Sequence, residues 1–397
     1  MRREALVNPK LLIWARESIN MDIDEASEKI KVQPERLRAW EAGELRPTIA
    51  QARIMASIYR RPLAAFYLPE RPTELGFSVP QDFRRLPDDQ PRELSPELVV
   101  ELRRIEYLRG IAVELADETP EKPKEFIGRT RLSESHDEVA KRVVSLLGLR
   151  MATRKNWHTD YDALNAWKDV IEQQGVLVMH LNHVEVGEVR GIAIAEPVFP
   201  LIAVNGKDSP YGRVFTLLHE FIHLMIGATG MSNMRISRRP HTAEQKVECF
   251  CNYAAGEILV PRQELLGHPS VRDAGGTENW SDDVIAHLGR EFGVSREVIV
   301  RRLLILGKTT EAFYRRKRQE YAHEQAARGK STGGPIPMSR RIVRAIGRPF
   351  ARLVLNAYYR EAISSSELAE LLGAGLKHLP AVEDLLAGHN VLAGGDG

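Results

Sequence analysis

One pentapeptide constrains this chain more than any other feature: His219-Glu220-Phe221-Ile222-His223, set inside the apolar run VFTLLHEFIHLMI. Ser209-Pro210 before it has the chemistry of a helix start, and Gly227 after it that of a stop. Between those points the spacing predicts one helix. His219 and His223 then stand one turn apart and project from the same face, which suits two of the ~2.0–2.1 Å nitrogen bonds of a tetrahedral zinc site. Glu220, next to the first histidine, is placed to act as general base toward a zinc-activated water. The bland alternative is a polar helix face with two histidines beside a surface glutamate. Leu217, Leu218, Phe221, Ile222, Leu224 and Met225 argue against it, because a solvated face does not sit in a continuous apolar run.

A catalytic zinc needs a third protein ligand. The extended pattern HExxHxxGxxH is excluded, since Ile226 and Thr229 occupy its glycine and last histidine positions. His241, Glu244, Glu248 and Glu257 lie in or beside the next helical segment, HTAEQKVECFCNYAAGEILVP. Glu244, Glu248, Cys251 and Ala255 share a face at spacings of three and four. Glu248 falls in the apolar part of that helix, where a carboxylate requires a partner and a metal would be one. Glu244 lies nearer the polar start, where water suffices. Cys249 and Cys251 put their thiols on different faces and read as small buried residues. His158, His180 and His183 carry no pattern. His241 is a loop histidine that could polarise a substrate carbonyl.

Three pieces together resemble the ImmA/IrrE family of metallo-endopeptidases. They are a strand ending in Asn205, then FTLLHEFIHLM, then E-x-x-C-N-x-x-A-x-E-I-L-V-P from Glu248 to Pro261. Cys251-Asn252 and Ala254-Ala255 stand where the family usually has Ala-Asn and Phe-Ala. The resemblance spans roughly residues 173–306. It implies His219, His223 and Glu248 as Zn(2+) ligands and Glu220 as catalytic base, and it implies that relatives cleave repressor proteins.

Upstream, VLVMHL, GIAIA and LIAVN are short β-rich runs bounded by Gly, Pro and Asn, so a small sheet precedes the metal-site helix. LIAVN is a candidate for edge pairing with an extended peptide. The N-terminal segment, residues 8–68, reads as short helices with clear caps at Asn8, Asp22 and Thr48. Within it, IDEASEKIKVQPERLRAWEAGELRPT resembles the helix-turn-helix of Xre/Cro-type repressors. Ala26, Ile30, Val32, Leu37 and Trp40 take the packing positions, and Trp40-Glu41-x-Gly43 and Arg46-Pro47-Thr48 match the motif's end. The resemblance puts Gln33, Pro34, Glu35, Arg36 and Ala39 at the DNA-facing places. Of the side chains there and nearby, Gln33, Arg36, Arg38 and Arg46 are the candidate DNA contacts, and the alternative is a helical domain that serves protein contact or dimerisation. Residues 1–72 hold thirteen Lys/Arg against ten acids, a small excess.

The expected fold is therefore mainly α, of the α+β class. Residues 1–70 form a five-helix Xre/Cro-type domain and 71–150 a helical linker region. Residues 151–310 form a zincin-like peptidase domain with a small sheet and the HExxH helix, and 311–397 a basic helical region. Between Arg301 and Arg352 fourteen Lys/Arg face three acids, a run suited to phosphate, to an acidic protein, or to a solvated helix face. The net charge of +2 argues neither for nor against nucleic acid. Two cysteines, no signal-peptide pattern and no apolar stretch of membrane-spanning length point to the cytoplasm.

Two functions follow. One is a zinc-dependent peptidase-type transcriptional regulator that hydrolyses a repressor-like protein. The other is implied by the resemblance of chains that join an Xre domain to such a peptidase domain to components of toxin–antitoxin modules. It is an antitoxin-like regulator that binds double-stranded operator DNA with its head and a cognate toxin with its C-terminal regions, its zinc domain having little or conditional activity. Xre domains commonly bind DNA as dimers, so a homodimer is expected.

Overall fold

The computed structural model describes residues 3–72, 81–82, 93–119, 123–126, 128–149, 151–154, 157–232, 242–274, 278–327 and 336–387. His241, most of the proline-rich arm after residue 72 and residues 328–335 lie outside them. The chain divides into two compact units. One comprises Met1–Val79 with Asp89–Tyr107; the other comprises Pro80–Asp88 with Leu108–Gly397.

The first unit is helical: α1 (Pro9–Glu17), α2 (Ile23–Ile30), α3 (Pro34–Glu41), α4 (Ile49–Ile58) and a 3-10 turn, Leu63–Tyr67, joined by the first half of α5 (Pro96–Asp117). The caps are those the side chains dictate. Asn8 accepts from the Lys10 amide at 3.1 Å and Asp22 from Glu25 at 2.7 Å, and Thr48 forms a capping box with Gln51. The fifth helical piece is only a 3-10 turn, because Pro62 and Pro69 fence it at both ends. Leu12, Ala26, Leu37, Trp40, Met55, Tyr59 and Phe66 fill the core.

Across that core runs a buried ion pair. The Arg16 guanidinium donates to Glu41 through Nε at 2.8 Å and Nη2 at 2.9 Å, and its third arm donates to the Met21 carbonyl at 2.9 Å. The glutamate after Trp40 is thus a packing element that fastens α3 to α1.

The second unit is built around a mixed sheet. Its strands are β1 (Gln81–Asp82), β2 (Leu177–Leu181), β3 (Gly191–Ile194), β4 (Leu201–Asn205) and β5 (Gly230–Ser232). Four strands lie in the order β5-β3-β4-β2, and the two-residue β1 extends the β5 side. β2 and β4 are parallel, from Leu177↔Leu201 to Leu181↔Asn205, and β3 is antiparallel to both β4 and β5. β4 therefore has a neighbour on each side. This corrects the edge-pairing reading of LIAVN: both backbone ladders of that strand are already taken.

The helices that follow in the chain are α6 (His136–Leu147), α7 (Met151–Arg154), α8 (Asp160–Glu172), α9 (Pro210–Met225), α10 (Ala243–Leu259), α11 (Arg262–Gly267), α12 (Pro269–Arg272), α13 (Asp282–Phe292), α14 (Arg296–Ile305) and α15 (Glu311–Ala327). The last four are α16 (Met338–Ile346), α17 (Arg348–Tyr359), α18 (Ser365–Leu372) and α19 (Leu379–Ala387). The C-terminal region is helical as expected. No helix among the described residues is long and apolar enough to cross a membrane. α9 is buried on every side from Arg213 to Met225, packed among β3, β4, α8 and α10. A helix apolar all round belongs in such a place.

The basic run has carboxylate partners. Arg315 meets Glu311 at 3.1 Å, Arg316 meets Glu320 at 3.7 Å, Lys317 meets Asp282 at 2.8 Å, and Arg318 meets Glu297 at 3.7 Å. Local neutralisation follows from helical i,i+4 spacing and from α13 and α14 lying alongside.

The Arg16–Glu41 pair yields a stability prediction. Glu41→Ala strands a buried guanidinium and should destabilise the N-terminal unit by about 3–5 kcal/mol. Replacing Arg16 and Glu41 together with apolar residues of similar volume should recover most of that loss. Urea denaturation followed by tryptophan fluorescence reads both.

Candidate metal centre

α9 and α10 meet at three side chains. His223 Nε2 lies 2.9 Å from Glu248 Oε1, His219 Nε2 lies 3.3 Å from Glu248 Oε2, and the two Nε2 atoms are 3.1 Å apart. All three groups are buried, with relative exposures of 0% (His219), 1% (His223) and 5% (Glu248). The histidines converge for the reason the spacing predicts. Glu248 joins them across 25 positions of chain only because α10 packs on α9.

This donor set fits zinc. Two imidazole nitrogens and one carboxylate, on two helices, place ligand atoms within 4.8 Å of one another. Three protein ligands of these types are the catalytic pattern for zinc, which leaves one coordination position open. Burial opposes charge on Glu248, but the adjacent His219 and His223 outweigh it and hold the carboxyl down at about 2. Burial likewise opposes charge on His223, and Cys251 and Glu248 overcome it, raising the imidazole well above its usual value. Cys251, which the sequence presents only as a small buried residue, thus hydrogen-bonds a histidine of the centre.

Glu220 is also fully buried. Its Oε1 accepts a short hydrogen bond from the Ser232 hydroxyl. Its Oε2 has no hydrogen-bond partner among the described residues. Burial raises the Glu220 carboxyl above its usual value, and a divalent cation at the neighbouring triad would act in the opposite direction.

Space for this carboxylate is made by Gly191. A Cβ there would meet Glu220 Oε1 directly, with Thr216 Cγ2 at 2.6 Å and Glu220 Cγ at 2.7 Å. Gly191 opens β3, and Asn205 sets up its approach. The fully buried Asn205 amide donates to the Val189 carbonyl at 2.9 Å and the Val184 carbonyl at 3.2 Å, fastening the loop into β3.

Ser232 and Gly191 are the site residues that sequence reasoning misses. Ser232 lies on a three-residue strand with no readable alternation. Gly191 gives only the weak signal of a glycine at the head of a strand.

The other expected positions fall elsewhere. Glu244 stands one turn before Glu248 and outside the three-residue group, and Glu257 pairs with Arg302. In the first unit Gln33, Arg36, Arg38 and Arg46 are all exposed. Gln33 occupies the N-cap of α3 without a side-chain cap bond. The Arg36 guanidinium sits 5.7 Å from the Trp40 ring centroid. Arg38 lies 3.6 Å from both Asp24 and Glu35, so its charge is partly engaged.

The sequence model of the peptidase M78 family, described as the IrrE N-terminal-like domain, matches residues 171–304. That span carries His219, Glu220, His223 and Glu248, together with β2 to β5. Among solved structures, a transcriptional regulator of Mycobacterium tuberculosis is 16% identical over 50% of this chain and 51% of its own, with a TM-score of 0.27. The chain thus spans about half the length of that protein. No curated protein matches the chain significantly.

The two carboxylates of α10 separate by experiment. Glu248→Ala should lower bound zinc in the purified protein by tenfold or more, roughly the loss that follows removal of groups supporting a metal site. Glu244→Ala should leave zinc content near wild type. Elemental analysis of the two variants after dialysis against a weak chelator makes the measurement.

Proposed function

We propose that this chain is a zinc-dependent endopeptidase that regulates transcription by hydrolysing a peptide bond in a repressor-like protein. The observation that carries the reading is Oε2 of Glu220, buried, one residue from His219 and without a hydrogen-bond partner among the described residues. His219, His223 and Glu248 would hold the metal. Zinc, when bound, supplies a Lewis acid that polarises a carbonyl and makes water acidic enough to attack near neutral pH.

The remaining chemistry belongs to the chain's own groups. The Ser232 hydroxyl occupies Glu220 Oε1, which leaves Oε2 as the atom that takes a proton from the attacking water. The same carboxyl then returns that proton to the leaving amide nitrogen. The apolar surroundings of α9 keep bulk water from competing for it.

The N-terminal unit supports the regulatory half of the reading. α2 and α3 are joined by a tight turn in which Lys31 adopts the left-handed conformation (φ 62°), and α3 presents Gln33, Arg36 and Arg38 to solvent. We assign these helices to a helix-turn-helix that brings the chain to operator DNA or to a partner bound there. Arg46, exposed just before α4, is assigned to a phosphate contact in this reading.

Glu220→Gln tests the enzyme. The variant should keep its zinc, retain its partner on purification, and lose at least about a hundredfold in the rate of partner cleavage. A partner that stays intact with wild type as well, while operator occupancy is unchanged in both, would reject hydrolysis and favour the antitoxin-like reading. Arg46→Ala should weaken operator binding evenly across sequences and reduce the salt-dependence slope by about one. Fluorescence anisotropy at several salt concentrations reads that slope.

A further inference from the structure

A second set of ligating side chains lies on the same unit, away from the buried triad. His268 sits between α11 and α12, and its Nδ1 accepts from the Ser270 amide at 3.2 Å, capping α12. That bond turns Nε2 toward Glu291, whose Oε2 is 3.0 Å away. His287, one turn before Glu291 on α13, brings its own Nε2 to 3.6 Å from the same oxygen. The two imidazole rings are 5.8 Å apart, and the three donor atoms all lie within 4.8 Å of one another.

We infer that His268, His287 and Glu291 form a second, solvent-accessible site for a divalent transition metal of the zinc class. Bonds of ~2.0–2.1 Å in tetrahedral geometry separate ligand atoms by about 3.3 Å, and 3.0 and 3.6 Å bracket that value. The donors are imidazole and carboxylate, which suit zinc, nickel or copper better than calcium or magnesium. His268 is the anchored member, its side chain 12% exposed, while His287 and Glu291 are 54% and 39% exposed. The ligands therefore reach an ion from solvent without opening the core, and water completes the coordination.

Binding has a local consequence. With the Ser270 amide donating to Nδ1, the His268 ring proton rests on Nε2, where it donates to Glu291. A metal at Nε2 moves that proton to Nδ1 and displaces the Ser270 bond. Occupancy of the site thus releases the cap of α12 while tying its start to α13. Losing that bond makes the site weaker than the buried triad. The inference stands apart from the peptidase reading, since it uses none of the same residues.

The test is a zinc titration of the full-length, chelator-stripped chain against a chromophoric competitor. Wild type should take up a weaker equivalent that is absent, or at least about tenfold weaker, in both His287→Ala and Glu291→Gln. Both substitutions are at exposed positions, and circular dichroism checks that the fold is retained. His219→Ala should spare this equivalent and remove the tighter one. A wild type with one equivalent that is lost in His287→Ala still supports the surface site and counts against the triad. If His287→Ala and Glu291→Gln bind every equivalent as tightly as wild type, the cluster is an ion pair only and the inference is overturned.

Discussion

Three groups that water solvates strongly meet where almost no water reaches. His219, His223 and Glu248 lie 2.9 to 3.3 Å apart with hardly any exposed surface. Burying such groups is costly unless they are paired or ligate an ion. Much of the second unit serves to hold this one crossing of α9 on α10. The C-terminal end of α10 is gripped by buried arginines: Arg154 donates to the Leu259 and Ile258 carbonyls at 2.7 and 2.9 Å, and Arg302 donates to Val260 at 2.8 Å. Burial weakens the charge of Arg154, pushing its guanidinium down to about 10. These side chains satisfy helix-end carbonyls that have no intrahelical donor.

The sheet positions Glu220 rather than the His219-His223-Glu248 triad. Asn205 fixes the loop before β3, Gly191 at the head of β3 leaves room for a carboxylate, and Ser232 on β5 fastens one of its oxygens. Each contact is modest alone. Together they leave a single oxygen of Glu220 without a hydrogen-bond partner among the described residues, the atom to which the proposed function gives the proton transfer.

The N-terminal unit follows the same logic on a smaller scale. A short helical domain with a limited core uses one buried ion pair, Arg16–Glu41, to lock two helices, while its exposed arginines remain on the solvent side. In the C-terminal half, the cationic run that looks from composition like a nucleic-acid tail is engaged with carboxylates of α13, α14 and α15. Net basic character in a segment does not measure the charge left to offer a partner.

Local sequence by itself determined most of the helices, because caps and a 3.6-residue period act within a few positions. It set the caps at Asn8, Asp22 and Thr48, and it put His219 and His223 on one face. It also singled out Glu248 on the next helix, since a carboxylate amid Cys249, Phe250 and Cys251 demands a partner. Only the tertiary structure decided that the partner is the histidine pair, that Glu257 belongs to Arg302 instead, and that LIAVN is an interior strand. The contacts of Ser232 and Gly191 with Glu220 were decided in the same way. The physical reason is range: capping and periodicity are written in neighbouring residues, whereas the approach of α10 to α9, or of β3 to Glu220, is fixed by packing among elements far apart in the chain.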